Sequence, residues 1–160
     1  MKKAVFVFLT LCLVSVVSLI AQGTDALHTY SKTLTGLLTS GQYETIMEKY
    51  YANAEEMNEY FKGVGEAPPN DFDRILKEQR FAFLEELKKE TQKHKITGKN
   101  LFYVDTYFIK KKSRGLYKVW LLLREDTAGE RRPYIITIQG IMINGIYKIA
   151  SDDVDIESPK

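Results

Sequence analysis

Cysteine is all but missing: Cys12 is the only one in 160 residues, and it sits inside the apolar run near the start of the chain. With that run set aside, a disulfide framework, a thiolate metal site and a cysteine nucleophile are all excluded. Histidine is nearly as scarce. His28 and His94 have neither a second histidine nor a carboxylate at ligand spacing, so no transition-metal site and no cofactor are expected. Repeats, low-complexity stretches and long linkers are lacking too. The one break in the pattern is "KGVGEAPPND", residues 62 to 71.

The chain begins with Lys2 and Lys3, then "AVFVFLTLCLVSVVSLIA", before polarity changes at Gln22. This is the layout of a secretory signal, with cleavage after Ala21 or Gly23. The alternative is a retained anchor, since the run approaches a bilayer-spanning length. Small residues follow at once and no positive cluster stops transfer, which favours the cleaved signal. Cys12 follows bulky Leu11 in mid-run, an unsuitable setting for an acylated cysteine. We therefore expect a signal peptide at 1–21, a single domain at 22–160, and an extracytoplasmic location, periplasmic or secreted.

Net charge is also lacking. Losing Lys2 and Lys3 leaves 21 basic against 21 acidic residues. Bulk attraction to nucleic acid or to an anionic membrane is not indicated, and membrane contact would come only through an uncleaved signal segment.

What the chain does have is amphipathic periodicity. Leu27, Tyr30, Leu34, Leu37 and Leu38 predict a first helix that stops at "TSG". Tyr43, Ile46, Met47, Tyr50, Ala54, Met57 and Phe61 predict a second, from about Gln42 to Lys62. Asn70 or Asp71 can cap a third, whose stripe is Phe72, Ile75, Leu76, Gln79, Phe83 and Leu87. From Gly98 the pattern turns strand-like, with strands expected at Leu101 to Ile109, Leu116 to Arg124, Pro133 to Ile143 and Ile146 to Ser151. Short connections make an antiparallel meander. The fold class expected is α+β: three N-terminal helices packed on a curved four-stranded antiparallel sheet.

Asn144-Gly145 supplies a ruler. A two-residue turn pairs Ile143 with Ile146, Met142 with Tyr147, Ile141 with Lys148 and Gly140 with Ile149. Tyr134, Ile136, Ile138, Met142, Tyr147 and Ile149 then share the helix-covered face, and Gly140 on that face permits a bulge or a bend. Choosing the more apolar set in the first two strands adds Phe102, Val104, Thr106 and Phe108, then Tyr117, Val119, Leu121 and Leu123. That inner surface carries no Asp, Glu, His or Lys, so the sheet offers no general acid or base.

The same choice sends Tyr103, Asp105, Tyr107, Lys118, Trp120, Leu122, Arg124, Ile135, Gln139, Ile141 and Lys148 outward. Tyr103, Tyr107, Trp120, Leu122 and Ile141 are a large apolar area to leave wet, and they are the expected interaction face for a homodimer or a protein partner. Ten tyrosines suggest a second site. Tyr50, Phe83, Tyr117, Tyr134, Met142 and Tyr147 could line a pocket for a small apolar ligand between helices and sheet. The plainer reading fills a core with them. "KKKSRG" reads as a solvated basic turn, because Arg131 and Arg132 fall at the opposite end of the sheet and no nucleic-acid groove forms. "SDDVDIE" lacks the Gly and terminal Glu of a calcium loop and reads as a solvated tail.

"LTGLLTSGQYETIMEKYY" resembles the helix, Gly, helix opening of the cystatin-like nuclear transport factor two superfamily. "IQGIMINGIYKIA" is similar to its closing hairpin. The resemblance covers most of residues 25 to 151 and takes in the small secreted bacterial members, though the hairpin that many members carry between second and third helices is not seen here. It implies helices packed on a cone-shaped sheet. Members range from enzymes with polar residues inside the cone to binding or dimerisation modules. Those resembling polyketide cyclases place an Asp or His inside, and no position here matches. The expectation is thus a non-enzymatic binding or interaction domain acting through the outer sheet face or a shallow apolar pocket. The alternative is a small hydrolase or isomerase drawing its carboxylate from a helix or loop, for example Glu44, Glu48 or Asp71.

Overall fold

Helix α1, residues 25–39, opens the described part of the chain; the computed structural model describes residues 25–110, 116–125 and 133–159. The expected signal segment with Cys12, the basic turn after Lys110, Gly129, Arg131 and Arg132 lie outside the described residues. Leu34 and Leu38 bury the apolar side of α1. The helix ends where Gly41 takes a positive φ of 69° and Gln42 N–H bonds back to Leu37 O at 2.9 Å.

The second helical stripe folds as two helices rather than one, α2 (Tyr43–Lys49) and α3 (Ala54–Val64). Asn53 restarts the helix with a capping box: its side chain accepts from Glu56 N–H, and the Glu56 carboxylate accepts from Asn53 N–H, both at 2.9 Å. Between them the backbone is extended enough to pair with the sheet. Ala52 N–H donates to Ile149 O and Ile149 N–H donates to Tyr50 O, each at 2.8 Å, in a parallel bridge of Tyr51 with Ile149. Gly65, φ 72°, closes α3.

Helix α4 (Phe72–Lys93) buries Leu76, Phe83 and Leu87. Asp71 occupies its N-cap position in a left-handed conformation without a side-chain capping bond. Arg80 leaves α4 to hold the α2–α3 junction: its guanidinium donates to Met47 O at 2.9 Å and Ala52 O at 3.1 Å, and lies 5.2 Å from the centre of the Tyr51 ring. It thereby satisfies carbonyls that the helix end leaves open.

The sheet is an antiparallel meander in the order β1 (Leu101–Lys110), β2 (Leu116–Glu125), β3 (Tyr134–Ile143), β4 (Ile146–Glu157). Asn144 and Gly145 both have positive φ, and all four hairpin pairs set by that turn occur. Strand β4 runs six residues beyond the expected Ser151. The acidic end is therefore not a solvated tail. Val154 and Ile156 are buried opposite Ile138 and Ile136, while Asp153, Asp155 and Glu157 alternate outward. A two-residue period was hidden by acidity.

The core lies between α1, α2, α4 and the inner face of the sheet, where Val119, Leu121, Leu123, Tyr134, Ile136, Ile138, Tyr147 and Ile149 are buried. In β1 the expected face assignment is half inverted. The β1–β2 register slips between Tyr103 and Asp105, leaving Val104 as the extra residue. Before that bulge Leu101 and Tyr103 turn inward and Phe102 and Val104 are 48% and 45% exposed; after it, Thr106 stands opposite Leu121. One inserted residue exchanges the faces of everything on one side of it.

Gly140 lies beside a second irregularity, where Ile138 pairs with Val154 but Gly140 with Ile149. A Cβ at Gly140 would stand 2.0 Å from Lys148 O and 2.7 Å from Tyr147 Cζ. The Tyr147 ring occupies the space a side chain would need. Gly140→Ala is expected to cost at least about 3 kcal/mol, the range of strongly overpacked core variants. Thermal or urea unfolding checks it, and a variant within experimental error of wild type would refute the packing described.

Candidate functional site

The six residues expected to line an inner pocket do not converge on one. Phe83, Tyr134 and Tyr147 are buried parts of a filled core. Tyr50 packs edge-on against Tyr30 at 4.8 Å, and Tyr30 against Tyr147 at 5.4 Å. Tyr134 is drawn to the far end of the sheet, where its hydroxyl donates to Glu125 Oε1 at 3.0 Å and accepts from Lys99 Nζ. Tyr117 and Met142 border a cleft of about 270 Å³ shared with Glu59, Tyr60, Gly63, Val64, Ile143 and Asn144. The physical reason is packing: the rings of Tyr30, Tyr50 and Tyr147 interlock where α1, the end of α2 and β4 meet.

The outer face is open over β1 and β2. Tyr107 is 50% exposed beside half-buried Trp120, and Leu122 and Ile135 continue the patch in the next cross-strand row. Of the five residues expected here, Tyr107, Trp120 and Leu122 are in place. Tyr103 is not: the bulge turns it inward onto the core. Nor is Ile141, which is 1% exposed in a second small core with Ala52 and Ile143 that Met57 and Tyr60 of α3 cover. Phe102 and Val104 take their places, exposed by a bulge that the alternation of "LFYVDTY" does not mark.

The bulge also assembles a cluster from residues 75 apart in sequence. His28 Nδ1 of α1 lies 2.5 Å from the Tyr103 hydroxyl, which is 2.8 Å from Thr106 Oγ1, and Asp105 Oδ1 is 3.9 Å from the same imidazole nitrogen. These contacts fasten the start of α1 to β1. Desolvation raises the Tyr103 pKa, which opposes use of its phenolate as a base. The helix and loop carboxylates considered for catalysis are surface groups: Glu44, Glu48 and Asp71 are exposed, with Glu44 3.5 Å from Lys88 Nζ and Asp71 3.8 Å from Arg74. His94 does have a carboxylate at helical spacing, contrary to expectation: its Nε2 sits 3.4 Å from Glu90, one turn earlier at the end of α4. Among the described residues no group of three or more His, Cys, Asp or Glu could hold a metal ion, and no helix is long and apolar enough to cross a membrane.

Compared with protein-family models, curated proteins and solved structures, the chain finds no match in any of the three. Its function must be argued from these surfaces alone.

Burial raises the pKa of Tyr30, Tyr51 and Tyr147 above the ordinary phenol value. A pKa raised on folding contributes stability that is complete below the unfolded value and lost as pH climbs towards the folded one. Stability should therefore fall above about pH 10, by roughly 1.4 kcal/mol per pH unit for each fully buried tyrosine. In an alkaline titration followed by tyrosinate absorbance and circular dichroism, some of the ten tyrosines should ionise only as the fold is lost. Smooth ionisation of all of them with the fold intact would contradict the packing.

Proposed function

We infer that this chain is a non-enzymatic extracytoplasmic interaction module that pairs with a second copy of itself through the open outer face of its sheet. The observation that carries this reading is the row of Phe102, Val104 and Tyr107 exposed on one face beside Trp120 and Leu122. Aromatic and aliphatic area of this kind, rimmed by charge, is characteristic of interfaces rather than of monomer surfaces. The rim carries both signs, with Lys118 and Arg124 on β2 and Asp153, Asp155 and Glu157 on β4. A self-complementary contact between identical faces thus meets no single-sign repulsion.

The extracytoplasmic setting rests on Lys2, Lys3 and the apolar run after them. The resemblance to the nuclear transport factor two superfamily, which includes dimerisation modules, is compatible with pairing through the sheet. Against the hydrolase or isomerase alternative stand an apolar inner surface on β2 to β4 and the surface placement of Glu44, Glu48 and Asp71.

Trp120 is the only tryptophan and lies within the proposed contact, so its fluorescence reports on it directly. Sedimentation should show a concentration-dependent dimer accompanied by a blue shift of Trp120 emission. Tyr107→Glu should weaken association at least about tenfold, the cost of a disrupted interface anchor, with unchanged circular dichroism. A strict monomer at millimolar concentration, with constant emission, would sink the proposal.

A further inference from the structure

A cleft lies between the last turns of α3 and the β3–β4 turn, and among the described residues that line it the one formal charge is negative. Its walls are Tyr60, Tyr117, Val64, Met142 and Ile143, and among the described residues its one carboxylate is Glu59. Among the described residues no lysine or arginine lines it. Asn144 Nδ2 donates to Glu59 Oε1 at 2.8 Å. That bond fixes the carboxylate at the rim and leaves Oε2 to take a donor or a cation from a ligand.

Gly63 supplies an independent observation. Glycine inside a helix costs up to about 1 kcal/mol relative to alanine, and it is usually repaid by a special backbone angle or a close approach. Gly63 has neither: its φ is not positive, and a Cβ there would meet nothing within 4 Å. Gly65, two residues on, does need its positive φ of 72° to end the helix. The missing side chain at 63 stands on the wall of the cleft, one helical turn after Glu59, and its local effect is to leave that space open.

We propose that this cleft binds a small hydrophobic ammonium compound, with its cation at Glu59 and the tyrosine rings and its apolar body against Met142, Ile143 and Val64. Aromatic faces and a carboxylate both favour a cation and disfavour an anion. The thioether and aliphatic walls accept a ring or a short chain. The volume of about 270 Å³ limits the occupant to a compact molecule.

The test uses benzyltrimethylammonium and its uncharged isostere neopentylbenzene, with isotope-labelled methionine methyl groups as reporters. The chain has four methionines, of which Met142 lines the cleft and Met47 is buried in the main core. Expected is a saturable shift of the Met142 methyl signal, with Met47 unmoved. The isostere and the Glu59→Gln variant should each bind at least about fivefold more weakly, in keeping with a cation–π and carboxylate site. Gly63→Leu should abolish the shift while keeping or raising the melting temperature. No saturation at millimolar cation, equal binding of the isostere, or full binding by Gly63→Leu would each overturn the proposal. Tyr107→Glu should bind the cation like wild type, which separates this site from the sheet-face reading.

Discussion

Two hydrogen bonds between Tyr50, Ala52 and Ile149 decide where everything else in this molecule can go. They pin the α2–α3 junction to β4 through a single parallel bridge at Tyr51. The chain leaves α2 on the inner side of the sheet, passes the edge in this bridge, and enters α3 on the other side. Unpaired backbone at such a crossing would be costly, and long side chains from both layers satisfy it. Arg80 takes Met47 O and Ala52 O, and Lys148 Nζ bonds Lys49 O at 3.0 Å and Glu56 at 2.7 Å. That clamp acts together with the Asn53 capping box, which restarts the helix as α3.

The crossing divides the apolar residues of the sheet into three fates. The inner face is filled by α1, α2 and α4. The outer face of the final hairpin, with Ile141 and Ile143, is covered by α3. The outer face of β1 and β2 has no element of the described chain over it, which is why Phe102, Val104 and Tyr107 stay exposed. One edge contact thus produces both the cleft beside α3 and the open face. Burying an aromatic side chain is favourable by about 25 cal/mol per Å², so a face of this kind gains from a partner.

The bulge at Val104 acts on the same balance from the opposite edge. By reversing the start of β1 it spends Leu101 and Tyr103 on the core and presents Phe102 and Val104 to solvent. Tyr103 and Asp105, on either side of it, meet His28, so the bulge both enlarges the open face and anchors α1. Gly140 does the corresponding work on β3, where the Tyr147 ring lies in its place and completes the inner layer.

Sequence alone determined the features governed by short-range rules. The helical stripes, the Asn144-Gly145 turn, the hairpin register and the α+β order follow from periodicity and turn geometry, and Tyr107, Trp120 and Leu122 were legible as an outer row from alternation. Asn53-x-x-Glu56 was legible too, as a capping box that splits the second stripe, but the unbroken apolar spacing across it masked the signal. What only the tertiary structure decided depends on partners far along the chain. A bulge has no fixed sequence mark, so the faces of Phe102 and Tyr103 were set by pairing with β2. Ile141 became buried because α3 crosses the edge, and Val154 and Ile156 became core because β3 had room for them. The ligand-pocket set failed as a unit for the same reason: whether tyrosines line a cavity or fill one is a question of summed volume, which periodicity does not measure.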